Sequence, residues 1–273
     1  MVATLAAAGS LLPGFTVYSA HAGGGTVLRG VFPDPHAPQP LNPGYVYLPP
    51  GFERTRRYPV AYLLHGIRGD PGEYLGALAL QSYLDAKIGS GAFEPFIAVV
   101  PAAADVHYQG EWAGPWEEYV VHTVGWIDEH LPTIASARGR LLAGLSAGGF
   151  GAFDIGLRHP ALFGRLASWS GYFHPIDDGP FKQADDATLR ANDPRLLLRR
   201  EAGRLRRLRI RFFISTGPAH SRWASPKESG AFTRAARADG IPTTYRFFGS
   251  REGHWRAEFH AGLCWSFGTP GVC

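Results

Sequence analysis

At 273 residues the chain can bury a large core as one α/β domain, and its 45% hydrophobic and 18% charged content is that of an ordered globular protein. Lys+Arg exceed Asp+Glu by only 27 to 23, and Lys87, Lys182 and Lys227 are the sole lysines, which argues against a basic nucleic-acid face. No run of about 18 apolar residues marks a membrane span.

The first residues, "MVATLAAAGSLLPGF", are small and apolar like the core of a signal segment, without a basic start or a cleavage site. Residues 1–24 are therefore expected to be an N-terminal segment, the remnant of an export signal or membrane anchor. A single domain is expected over 25–268 and a short tail over 269–273. The only cysteines, Cys264 and Cys273, lie at the C-terminus, where either a disulfide or two free thiols would fit. Together these features favour an extracytoplasmic home, secreted or at the cell envelope, with a membrane nearby.

"TVLRGVF" (26–32) and "GYVYLPPGF" (44–52) read as two antiparallel edge strands around a Pro-rich loop. A strand–helix alternation follows. The continuous apolar runs "YPVAYLL" and "FIAVV" read as buried strands, and "GALALQSYLDAKIG" as a helix. In "WEEYVVHTVGWIDEHLP", residues Tyr119, Val120, Val124, Ile127 and Leu131 form one helical stripe closed by Pro132. Further on, "FGRLASWSG", "RIRFFISTG" and "TTYRFFG" read as strands, "SPKESGAFTRAARADG" as a helix capped by Ser225, and "WRAEFHAGLCWSF" as the last helix. The arginine-rich "LLLRREAGRLRRLRIRF" has leucines at helical spacing and reads as a solvated helix face or an entrance rim rather than a polyanion site. This order predicts an α/β fold: a mostly parallel central sheet with antiparallel N-terminal strands and helices on both faces. In such sheets chemistry sits outside the carboxyl ends of the strands.

One segment has that setting. "RLLAGLSAGGFGAF" places Gly144-Leu145-Ser146-Ala147-Gly148 between an apolar strand and a helix. A sharp strand-to-helix turn needs glycines on both sides, and it aims a serine hydroxyl and the next N–H at one spot near the positive end of the helix. Ser146 is the expected nucleophile rather than a small turn residue. Of the eleven histidines, His254 lies between the last strand and the last helix, where the order Ser…acid…His puts the base. In the loop "HGIRGD" the Ile67 N–H would join that of Ala147 as an oxyanion donor. The acid is less evident, because "PAHSRW" after "FFISTG" holds no carboxylate. Glu228 is the first acid beyond it and the expected third member, with Asp177 and Asp178 as alternatives. Trp112, Trp116 and Trp223 are expected to line the mouth of the site.

On these residues the chain resembles the esterase D and antigen-85-like branch of the α/β-hydrolases over about residues 25 to 268. The resemblance rests on "YLLHGIRGD", "WEEYVVHTVGWIDEHLP", "AGLSAGGFGAFDIGLRHPALFGRLASWSGYFHP" and the late "GHW". It implies the α/β-hydrolase fold, oxyanion N–H groups at Ile67 and Ala147, and a substrate-binding arginine at Arg68. The mycolyltransferases of that branch have aspartate where this chain has His65, and their acid is a glutamate in a Thr-Pro-Ser-Glu run. "SPKE", ending at Glu228, is similar.

The expected function is that of a serine esterase or acyltransferase working through an acyl-enzyme on a small-molecule, lipid or sugar ester. The alternative is a non-catalytic carbohydrate- or protein-binding member of the same fold. No cofactor and no metal are expected: neither HExxH nor CxxC occurs, and "GGFGAF" lacks the dinucleotide spacing.

Overall fold

A computed structural model describes residues 11–66, 70–103, 112–218, 224–250 and 254–272. The strands are β1 (Phe15–Ala20), β2 (Thr26–Gly30), β3 (Gly44–Leu48), β4 (Val60–Leu64), β5 (Ile97–Val100), β6 (Arg140–Leu145), β7 (Arg165–Trp169), β8 (Arg211–Thr216) and β9 (Thr243–Phe247). They form one sheet in the order β1-β2-β3-β5-β4-β6-β7-β8-β9. The pairs β1–β2, β2–β3 and β3–β5 are antiparallel, and every pair from β5–β4 to β8–β9 is parallel. The expected mixed sheet is therefore present. One strand more than expected opens it: β1 lies within the segment assigned to the N-terminal extension, so the sheet begins at Phe15, upstream of residue 25.

The helices are α1 (Gly72–Leu75), α2 (Leu80–Gly89), α3 (Pro115–His130), α4 (Ala147–Arg158), α5 (Asp186–Ala191), α6 (Pro194–Arg207), α7 (Pro226–Ala238) and α8 (His254–Phe267). The strands alternate between two apolar layers, as period-two geometry requires. Val60, Tyr62 and Leu64 join the layer packed by α3, α4, α6 and α7, through Tyr119, Phe153, Leu197 and Phe232. Ala61 and Leu63 face the layer packed by α2 and α8, through Leu84, Phe259 and Leu263. With both faces covered, the central strands are buried along their whole length and read as unbroken apolar runs.

Helix α3 has the expected stripe, with Pro115 at its start and His130 at its end. The basic segment forms α6, whose Leu197, Leu198 and Leu205 are buried, and continues into β8. Cys264 on α8 is disulfide-bonded; Cys273, the only other cysteine, lies outside the described residues. Among the described residues no helix is long and apolar enough to cross a membrane. The parallel strands β4, β6, β7 and β8 all end at one edge of the sheet, and the expected chemistry collects there.

Candidate active site

Ser146 stands between β6 and α4 with φ 53° and ψ −113°. This left-handed backbone costs a non-glycine residue about 1–3 kcal/mol unless its surroundings hold it there. They do: the Ser146 N–H donates to the Trp169 carbonyl (2.9 Å), and the Ser146 carbonyl accepts from the Phe150 N–H (3.1 Å). A Cβ on Gly144 would overlap the Gly148 backbone, and one on Gly148 would overlap the Leu64 carbonyl oxygen. The two glycines of the motif thus let α4 start hard against the ends of β4 and β6. Ala147 opens α4 and is fully buried, and its N–H is among the first-turn groups with no acceptor inside the helix.

The turn after β4 lies against this serine. A Cβ on Gly66 would sit 3.3 Å from the Leu145 carbonyl oxygen and 3.5 Å from the Ser146 Cβ. His65, before it, is buried; its Nδ1 meets the Gly66 carbonyl (2.9 Å) and its Nε2 accepts from the Ala103 N–H (3.2 Å). Those partners require a neutral ring protonated at Nδ1. Burial acts in the same direction, holding the His65 pKa below its ordinary value. Ile67 and Arg68, expected as oxyanion donor and substrate contact, lie outside the described residues, as does Trp223.

The other two tryptophans are not at a rim. Trp112 is 1% exposed, its indole Nε1 donates to the His65 carbonyl (3.0 Å), and its ring meets that of His65 edge-on. Trp116 is buried on the inward stripe of α3 beside Tyr119. Both expectations of a substrate contact are revised: one ring braces the turn after β4 and the other packs the core.

His254 is the first residue of α8 and is nearly buried. Gly217 follows β8, and a Cβ there would overlap the imidazole, so the ring lies on the end of that strand. β6 and β8 flank β7. At ~4.8 Å per strand, Ser146 and Gly217 are about 10 Å apart along the edge, which leaves room for a serine and a histidine side chain between them.

The expected acid is engaged elsewhere. The Glu228 carboxylate accepts from the Phe173 N–H (3.2 Å) and pairs with His174 Nδ1 (2.6 Å) rather than with His254. Its N–H donates to the capping Ser225 hydroxyl (3.2 Å), which makes it the third residue of α7 and turns its side chain back toward the 173–174 loop. Asp178 caps its own turn through the Gly179 N–H, and Asp177 is exposed. Among the described residues, the carboxylate beside His254 is that of Glu258, one turn further along α8 and 0% exposed. Its Oε1 is 3.9 Å from His254 Nε2.

Residues 42–265 match the family described as "Putative esterase". The chain belongs to this esterase family. Among curated proteins the chain is 32% identical over 139 residues to Esterase Rv1288 of Mycobacterium tuberculosis, a match over 48% of this chain and 29% of that protein. The chain thus spans under a third of that relative's length. Among solved structures a ferulic acid esterase superposes with a TM-score of 0.71 at 19% identity, covering 89% of this chain and 92% of that one. The fluorophosphonate-binding serine hydrolase FphF of Staphylococcus aureus gives a TM-score of 0.73 at 14% identity, covering 89% and 99%. At those identities the likeness is one of fold, and that fold is the α/β-hydrolase fold.

Glu258 is the residue near His254 that reading the sequence passed over. Its signal was available: in "GHWRAEF" a glutamate stands four residues after the histidine, so the two share one face if the helix starts at His254. Placing that start one residue later, at Trp255, hid the pair.

Proposed function

We propose that the protein is a serine carboxylic-ester hydrolase that works through an acyl-enzyme, with Ser146 as nucleophile and His254 as base. The observation that carries this reading is the left-handed backbone of Ser146 at the head of α4, held by glycines that admit no side chain. Ser146 Oγ attacks the ester carbonyl carbon as its proton passes to His254. The charge that forms on the carbonyl oxygen meets the Ala147 N–H and, on the family resemblance, that of Ile67. Collapse expels the alcohol, which takes the proton back from the imidazolium. Water or an acceptor hydroxyl then attacks the acyl group with His254 again as base, which frees Ser146.

The substrate class proposed is a small ester with a polar or hydroxylated part. A cleft lined by Arg29, Asn42, Pro43, Tyr45, Asp70, Pro71 and Ala102 opens on the same side of the sheet, beyond the turn that carries Gly66, and Arg29, Asn42 and Asp70 offer it partners for hydroxyl groups. The disulfide at Cys264 supports an extracytoplasmic location, where such bonds persist.

The test is intact-mass labelling with a fluorophosphonate probe, with p-nitrophenyl acetate turnover alongside. Wild type gains one adduct and turns over the ester; Ser146→Ala gains none and loses roughly 10⁴-fold or more of kcat. Glu228→Gln, which touches the His174 pair and not His254, labels and turns over within about 3-fold of wild type, with a stability change of about 1 kcal/mol or less. An adduct on Ser146→Ala would overturn the reading.

A further inference from the structure

We propose that Glu258 is the carboxylate that positions His254 and balances its charge, in place of an acid from the loop after β8. The inference rests on the serine-hydrolase reading of Ser146 and His254. It starts from the absence of any Asp or Glu between Gly217 and Pro226, where the chain passes from β8 to α7. Glu258 reaches the same region from the opposite side, from within α8. It is fully buried, and each of its oxygens accepts a hydroxyl: Oε1 from Ser170 (2.7 Å) and Oε2 from Ser215 (2.7 Å). Ser170 itself has a left-handed backbone (φ 48°), and its Oγ also accepts from the Gly217 N–H (3.3 Å). Since His254 lies on Gly217, one serine ties together the carboxylate and the floor under the imidazole.

A fully buried carboxylate is tolerated only where donors and an opposite charge face it. Ser170 from the end of β7 and Ser215 from β8 are the donors. The opposite charge is the imidazolium that forms when His254 accepts the Ser146 proton, 3.9 Å away. Tyr245 on β9 also senses Glu258, although burial is the larger cause of its raised pKa. Arg256, between the two residues on α8, directs its guanidinium to the Ala77 carbonyl instead. The i,i+4 spacing fixes the pair within one turn of helix, so Glu258 needs no loop to bring it to the histidine.

The charge argument separates a positioning role from mere packing. Glu258→Gln keeps the shape of the side chain beside Ser170 and Ser215 but removes the charge that balances the imidazolium, so it lowers kcat about 10²-fold with KM nearly unchanged. Glu258→Asp, which keeps the charge but retracts it by one methylene, restores part of that loss. Both are measured on p-nitrophenyl acetate, with near-UV circular dichroism to establish folding. A folded Glu258→Gln enzyme with kcat within about 3-fold of wild type overturns the proposal. Should the glutamine variant not fold, Glu258→Asp alone decides: kcat lowered about 10-fold at nearly unchanged KM is expected, and kcat within about 3-fold of wild type overturns the proposal. Failure of the underlying reading looks different: Ser146→Ala would still label, whatever residue 258 is.

Discussion

Gly148 has no room for a side chain because the Leu64 carbonyl occupies the place of its Cβ. The obstacle is the backbone of a central strand, which cannot rotate away as a side-chain tip would. Gly148→Ala is therefore expected to lose about 2–4 kcal/mol of stability in urea unfolding, and the fraction that folds should not label at Ser146. Gly125 in α3 is the control, since nothing lies within 4 Å of a Cβ built there. Gly125→Ala should gain about 0.5–1 kcal/mol through helix propensity. Equal effects at the two positions would remove the packing explanation for the glycine after Ser146.

The Trp112 indole is a brace for the turn beside the nucleophile. Trp112→Phe keeps most of the ring packing against His65 and Gly151 but deletes the donor to the His65 carbonyl. The expected cost is about 1–2 kcal/mol of stability. Because that turn leads into the expected oxyanion donor, kcat on p-nitrophenyl acetate should fall about 10-fold with KM nearly unchanged. A raised KM at constant kcat would instead return Trp112 to the substrate-binding role expected from the sequence.

What could be read from the chain depended on how local each cause is. The turn at Ser146 was legible because strand, Gly-x-Ser-x-Gly and helix are contiguous, and the steric demand of the turn appears as glycine in the sequence. The parallel strands were legible because burial on both faces leaves unbroken apolar runs. β1 was not: "FTVYSA" follows a stretch that resembles a signal segment, and only its pairing with β2 makes it a strand. The histidine's carboxylate was missed for a related reason. Glu228 is near the right strand in sequence, but the cap at Ser225 aims it at His174, whereas Glu258 meets His254 through the exact start of α8. Trp112 and Trp116 misled because aromatic residues flanking a Gly-Pro loop look the same whether they face solvent or a buried turn.

His260, two residues beyond Glu258 on α8, gives the protein a pH dependence separate from catalysis. Its ring is stacked on Tyr83 at 3.6 Å, and its pKa is pushed down from 6.5 to about 4 by burial first and then by the charges of Arg256 and Lys87. A histidine whose folded pKa is depressed takes up its proton more readily in the unfolded chain. Its contribution is therefore complete above about pH 6.5 and is lost as the pH falls toward 4. The ring is partly exposed, so after solvent screening the loss is about 1–2 kcal/mol. His260→Phe keeps an aromatic ring against Tyr83 and cannot titrate. Its urea-unfolding free energy should consequently decline less than that of wild type between pH 7 and pH 4, by that same margin. Parallel declines in the two proteins would show that the His260 imidazole takes up its proton equally in the folded and unfolded chain and that other groups set the acid limit of the fold.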